Sequence, residues 1–97
     1  AAIAARVAQA RAVQRERFAG HEHVSVNADA EGDLLEAVVA LSTGAAQLLA
    51  EVAARFRFSA RAYHRVLRVA RTIADLEGSA AVDRPHVAEA AGFRLAI

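Results

Sequence analysis

The stretch Ser59 to Gly78, "SARAYHRVLRVARTIADLEG", restricts the fold of this chain more than any other. At about 100° per residue, Ala62, Tyr63, Val66, Leu67, Val69, Ala70, Ile73, Ala74 and Leu76 fill one half of a helical wheel. Arg61, His64, Arg65, Arg68, Arg71, Thr72 and Asp75 fill the other half. Such a pattern needs a core on one side and leaves a basic face on the other. Ser59 is placed to cap the helix start, where its hydroxyl accepts from an orphan backbone N–H. Gly78 stops the helix, because glycine adopts the left-handed turn without a Cβ penalty.

The same reasoning predicts helices elsewhere. Ile3, Val7, Ala10, Gln14 and Phe18 lie near one stripe of a first helix, which Gly20 ends. Gly20 to Gly32 is expected to be irregular, since His23 to Val26 alternate only weakly and over too short a run for a strand. Asp33 to Val39 reads as a short helix with an acidic first turn. Ser42 caps a third helix, whose Ala45, Leu48, Leu49, Val52, Ala53 and Phe56 recur at i, i+3, i+4, i+7, i+8 and i+11. Asp83 is the natural N-cap of the last helix, with Pro85 in its first turn and Val87, Ala90 and Ala91 on its apolar side. The expected fold is therefore all-α, a small bundle of four or five helices, with residues 1–97 forming a single domain.

Composition excludes several chemistries. The 97 residues hold no Cys, so there is no disulfide, thiolate ligand or thiol nucleophile. All 12 basic residues are Arg. Without Lys, a P-loop, whose Lys reaches the β- and γ-phosphates, cannot form. No apolar run approaches the ~20 residues of a membrane span. The absence of Met, and an opening inside a helical pattern, lead us to expect a piece of a larger protein. Absent cysteines fit a cytoplasmic location.

The polar side chains offer few sites. His21 and His23 could share a metal only with a third ligand that the sequence does not mark, so no metal site is expected. His64 and His86 fall on a polar face or a first turn and read as surface residues. Ser42 and Ser59 serve better as caps than as nucleophiles, because no base is placed to activate them. No catalytic residue is expected. The arginine face has two readings. In one it is solvated, with Arg68 or Arg71 facing Asp75 at i+7 or i+4, worth only about 0.2–0.5 kcal/mol per pair. In the other it meets an anion, a phosphate or a nucleic-acid backbone. A net charge of +1 and the lack of aromatic stacking residues weigh against nucleic acid.

"SARAYHRVLRVARTIADLEGS" also closely resembles the C-terminal helical domain of the magnesium-chelatase-like AAA+ ATPases of the ComM/YifB type. Ser59, Arg61, Tyr63, Arg65, Leu67, Arg68, the run Ala70 to Leu76, Gly78 and Ser79 all match the family pattern. The resemblance extends more weakly to "RVAQARAVQRERF" before it and "HVAEAAGFR" after it. The family commonly has a larger residue where Gly92 stands, between Ala91 and the Phe93-Arg94 pair. Gly20 to Glu31 is not anchored by the resemblance.

The resemblance implies a fold of the AAA+ lid type, which closes over ATP bound to an ATPase core in the same chain. It implies that Arg61 is a sensor-2-like arginine approaching the β- and γ-phosphates. Arg65, Arg68 and Arg71 become candidates for the lid–core or subunit interface. It also implies a hexameric ring, with DNA as a possible partner of the parent protein during natural transformation. ATP and Mg would belong to the parent, with no cofactor held by this fragment alone. The alternatives are an autonomous DNA-binding helical module and a protein-interaction domain.

Overall fold

A computed structural model describes the backbone of residues 2–95 and the side chains of residues 2–92. Among the described residues there are five α-helices, one 3-10 turn and no β-strand. The helices are α1 (Ala2–Arg17), α2 (Gly32–Val39), α3 (Thr43–Arg55), α4 (Ala60–Leu76) and α5 (Arg84–Leu95), and the 3-10 turn is Asn27–Asp29. Every helix expected from periodicity is present, and the fold is a small all-α bundle.

Local chemistry sets the boundaries. Ser42 Oγ accepts from the Ala45 N–H at 3.2 Å, and Ser59 Oγ accepts from the Ala62 N–H at 3.1 Å. Each satisfies a donor that the first helical turn would otherwise leave orphaned. Gly20 (φ 85°) and Gly78 (φ 75°) occupy the left-handed region expected of helix stops. The end of α2 departs from that rule, because Ala40 stands there at φ 54°, ψ 55°. Its conformation is held by two backbone bonds beyond it. Val82 N–H donates to Ala40 O at 3.0 Å, and Ser42 N–H donates to Val82 O at 2.9 Å. The resulting parallel bridge between Leu41 and Val82 ties the α2–α3 turn to the segment entering α5.

The centre of the bundle is α4. It packs against α1, α2, α5 and the 3-10 turn, while α3 packs against α5. The core joins Phe18, Leu35, Val39, Leu49, Val66, Leu67, Val82 and Val87 with small residues such as Ala70, Ala74 and Ala90, all buried. The alanines let helix backbones approach closely. Burial of each larger apolar side chain contributes about 1.5–3 kcal/mol before chain entropy is subtracted.

Two apolar stripes are less buried than periodicity predicts. On α1 only Ala10 and Gln14 are buried, with Phe18 just beyond its end, and Ile3 is 77% exposed. Phe56 is 49% exposed at the C-cap of α3, where the Arg55 guanidinium lies 5.8 Å from its ring centroid.

His86, expected at the surface, is 4% exposed. The reason is a cap different from the expected one. The Asp83 N–H donates to His86 Nδ1 at 2.9 Å, and the His86 N–H donates to Asp83 O at 3.0 Å. The bond to Nδ1 is the return half of a capping box, with an imidazole in place of the usual Glu or Gln, while the Asp83 backbone carbonyl rather than its side chain accepts from the His86 N–H. The other nitrogen, Nε2, lies 3.3 Å from a Glu77 carboxylate oxygen.

Candidate anion-binding site

The polar half of α4 divides into an inward and an outward group. The inward group was read from the wheel as solvated or interfacial, and the fold buries it. Arg71 is 1% exposed and Asp75 is 4% exposed. Arg71 donates to the carbonyls of Val39 (3.1 Å), Ala80 (2.9 Å) and Ser79 (2.7 Å), and lies 3.1 Å from Asp75. Its Nε is buried without a partner among the described residues. Arg71 therefore faces the turns after α2 and α4, and it presents nothing to an outside molecule. Burial lowers its pKa, Asp75 opposes that, and the nearby Arg17 charge adds to it.

Asp75 is the counter-charge of this cluster. Arg17, at the end of α1, grips it with two guanidinium nitrogens at 2.8 Å each. Burial acts to raise the Asp75 pKa. Hydrogen bonds from Arg17 and Asn27 and the charges of Arg71 and Arg17 outweigh it, so the net shift is downward.

The loop left unanchored by sequence is held by Asn27. Its backbone N–H donates to Gln14 Oε1 at 2.8 Å, and its Nδ2 donates to Asp75 (2.8 Å) and Thr72 (3.1 Å). Its Oδ1 accepts from Arg17 at 2.9 Å. Each polar atom of the Asn27 side chain therefore has a partner, as a buried amide requires. Sequence reasoning missed Gln14 and Asn27, and the one available signal was a polar Gln on the apolar stripe of α1.

The outward group is the candidate site. Arg61, Arg65, Arg68 and Thr72 line an open hollow of about 490 Å³ with Ala28, Val69 and Ile73. Arg61 and Arg65 are exposed, and no carboxylate pairs with either among the described residues. Arg68 is partly committed, donating from Nε to Ala30 O at 2.7 Å and lying 3.8 Å from a Glu31 carboxylate oxygen. Arg61 stands in the first turn of α4, which has no acidic residue. The helix dipole is positive there and disfavours a cation by about 0.3–1 kcal/mol. The same two positive features favour an anion. A guanidinium presents paired, planar donors that suit phosphate oxygens.

The histidine pair stands apart from this hollow. His21 and His23 are exposed in the loop after α1. Among the described residues no group of three or more His, Asp and Glu is placed to hold a metal. No described helix is long and apolar enough to cross a membrane.

Comparison with known proteins identifies the bundle. The family described as "Magnesium chelatase, subunit ChlI C-terminal" matches residues 1–94. The chain belongs to that family. The chain is 38% identical over 94 residues to the "Competence protein ComM" of Haemophilus influenzae, covering 97% of the chain and 18% of that protein. It is 33% identical over 87 residues to the "Uncharacterized protein YifB" of Salmonella typhimurium, covering 84% of the chain and 17% of that protein. The chain thus spans less than a fifth of the length of either relative. No solved structure matches it. Its assignment as a helical C-terminal domain of this AAA+ family agrees with the bundle and with the Ser59–Ser79 resemblance.

Proposed function

We propose that this domain is the non-catalytic lid of an AAA+ ATPase, closing over ATP held by a core elsewhere in the parent chain. Arg61 contacts the nucleotide phosphates as a sensor-2-like residue. The observation that carries this reading is the position of Arg61: exposed, without a carboxylate partner among the described residues, in the positively poled first turn of α4. Nucleotide phosphates complement that arrangement. When bound, ATP supplies the hydrolysable phosphoanhydride. Arg61 orients and neutralises the phosphate oxygens, and α4 carries the contact into the bundle.

The walls of the nucleotide site, the magnesium ligands and a hexameric ring belong to the parent protein in this reading, as does a cytoplasmic location. DNA is the parent's partner in this reading, as the family resemblance implies. The alternative of a DNA-binding arginine row is weakened because Arg71 is consumed internally and Arg68 in part.

The test is ATP hydrolysis by the complete parent protein. Arg61→Ala should lower turnover by about tenfold or more, as loss of a charge-assisted phosphate contact requires. Arg55→Ala, an exposed arginine on α3, is the control and should leave turnover unchanged. Wild-type turnover in Arg61→Ala would sink the sensor assignment.

A further inference from the structure

The hollow beside α4 offers more donors than Arg61 alone. Arg68 spends its Nε on Ala30 O, but its Nη2 has only Glu31 at 3.8 Å, too long for a hydrogen bond. Thr72 Oγ1 accepts from Asn27 Nδ2 at 3.1 Å, and among the described residues its own O–H has no acceptor. Both groups line the hollow with Arg65 and Arg61, over a floor of Val69, Ile73 and Ala28. Arg61 and Arg68 are seven residues apart, about 10.5 Å along a helix axis. One carboxylate is satisfied by a single guanidinium fork. Three guanidiniums and a hydroxyl along one face instead suit a longer oxyanion with several acceptor oxygens.

We infer that the hollow is a diphosphate-binding site in which Arg65, Arg68 and Thr72 extend the contact made by Arg61, and in which the Glu31 carboxylate competes for Arg68. Glu31 is exposed and its ion pair is long, so an incoming phosphoryl group displaces it readily. Arg68 keeps its Nε bond to the loop carbonyl while its Nη groups change partner. The ligand chemistry is a phosphoanhydride-linked diphosphate, whose source is either a nucleotide or free pyrophosphate. The inference deepens the lid reading and rests on it for the biological occupant.

The test is a pyrophosphate titration of the 97-residue chain, followed by NMR of backbone amides and arginine Nε–H groups. No salt is added beyond the titrant, because the Debye length shortens from about 30 Å at 0.01 M to about 10 Å at 0.1 M ionic strength. Shifts should gather at Ala28, Arg61, Arg65, Arg68 and Thr72. Arg65→Gln should weaken binding about tenfold, and Arg68→Gln should act in the same direction. Since Arg68 also holds Ala30, the exposed Arg65 gives the variant free of folding effects. Glu31→Gln should tighten binding about two- to fivefold, the range open to an exposed ion pair.

ATP that displaces pyrophosphate identifies a nucleotide source, and pyrophosphate that ATP leaves in place identifies the free diphosphate. No shift up to about 10 mM pyrophosphate, a free energy weaker than about 3 kcal/mol by the affinity relation, overturns the site. So does binding that neither Arg65→Gln nor Arg68→Gln weakens. Unchanged affinity in Glu31→Gln overturns the competition. The lid reading fails separately, through wild-type ATP turnover in Arg61→Ala, and that outcome leaves the pyrophosphate result standing.

Discussion

Arg17 and Asp75 meet in a two-point fork, 2.8 Å at each contact, across 58 residues of chain. The pair joins the end of α1 to the last turns of α4, and Arg71 shares the same carboxylate at 3.1 Å. Two guanidiniums around one buried carboxylate leave no redundancy. Removing the acid strands two cations, one of them in the interior.

Asp75→Asn should therefore destabilise the domain by about 3–5 kcal/mol, the range for breaking a buried ion pair by removing one partner. Urea unfolding checks this through the midpoint at constant slope. A loss below about 1 kcal/mol would show that the Arg17 and Arg71 charges find other compensation, since a neutral hydrogen bond is worth about that much.

Acid should act through the same residue. The folded-state pKa of Asp75 is depressed, so its contribution is fully present above the ordinary Asp value of about 3.9 and is lost as pH falls through the lower folded value. Thermal unfolding of the wild type should weaken with acid in that window. Asp75→Asn should show a flatter dependence, and parallel pH profiles for the two proteins would contradict the assignment.

The imidazole cap at α5 gives a third expectation. His86→Ala leaves the Asp83 N–H without its Nδ1 acceptor and removes a buried ring. The cap alone is worth about 1 kcal/mol, and lost packing adds to that. His86→Gln keeps an acceptor at the capping-box position and should recover part of the loss. Equal destabilisation by both substitutions would assign His86 to packing alone.

Ala40 and Gly78 form a reciprocal pair for backbone strain. Ala40 stands at φ 54° and Gly78 at φ 75°. A left-handed residue with a Cβ costs roughly 1–2 kcal/mol. Ala40→Gly should stabilise by about 1 kcal/mol or slightly less, since glycine also gains freedom in the unfolded chain. Gly78→Ala should destabilise by about 1 kcal/mol. Melting temperatures that move the same way in both variants would show that φ does not control either site.

Much of this fold is legible from helical periodicity. Hydrophobic spacing, Ser42, Ser59 and Gly78 are local signals, and each acts within a few residues of itself. The wheel of α4 misleads at Arg71 and Asp75 for a physical reason. It reports direction around one axis but says nothing of what covers that direction. Over Asp75 the covering elements are the end of α1 and the Asn27 turn, and over Arg71 they are the end of α2 and the turn after α4. The polar cluster is thus a property of several segments, and no one segment announces it. Arg61 and Arg65 are readable as an outward basic face because no described element folds over them. His86 was misread because its partner is a backbone N–H, which sequence does not display.

The attachments of α4 are unevenly spread along its length. Arg17, Arg71 and Asn27 secure the Asp75 end, and Arg6 Nε adds a bond to Leu76 O at 3.2 Å. The Arg61 end carries an exposed charge and a serine cap. Arg61 and Asp75 are 14 positions apart, a rod of about 21 Å. The helix is therefore held in two ways, by ionic contacts around Asp75 and by the apolar burial of Ala62, Val66 and Leu67 nearer Arg61.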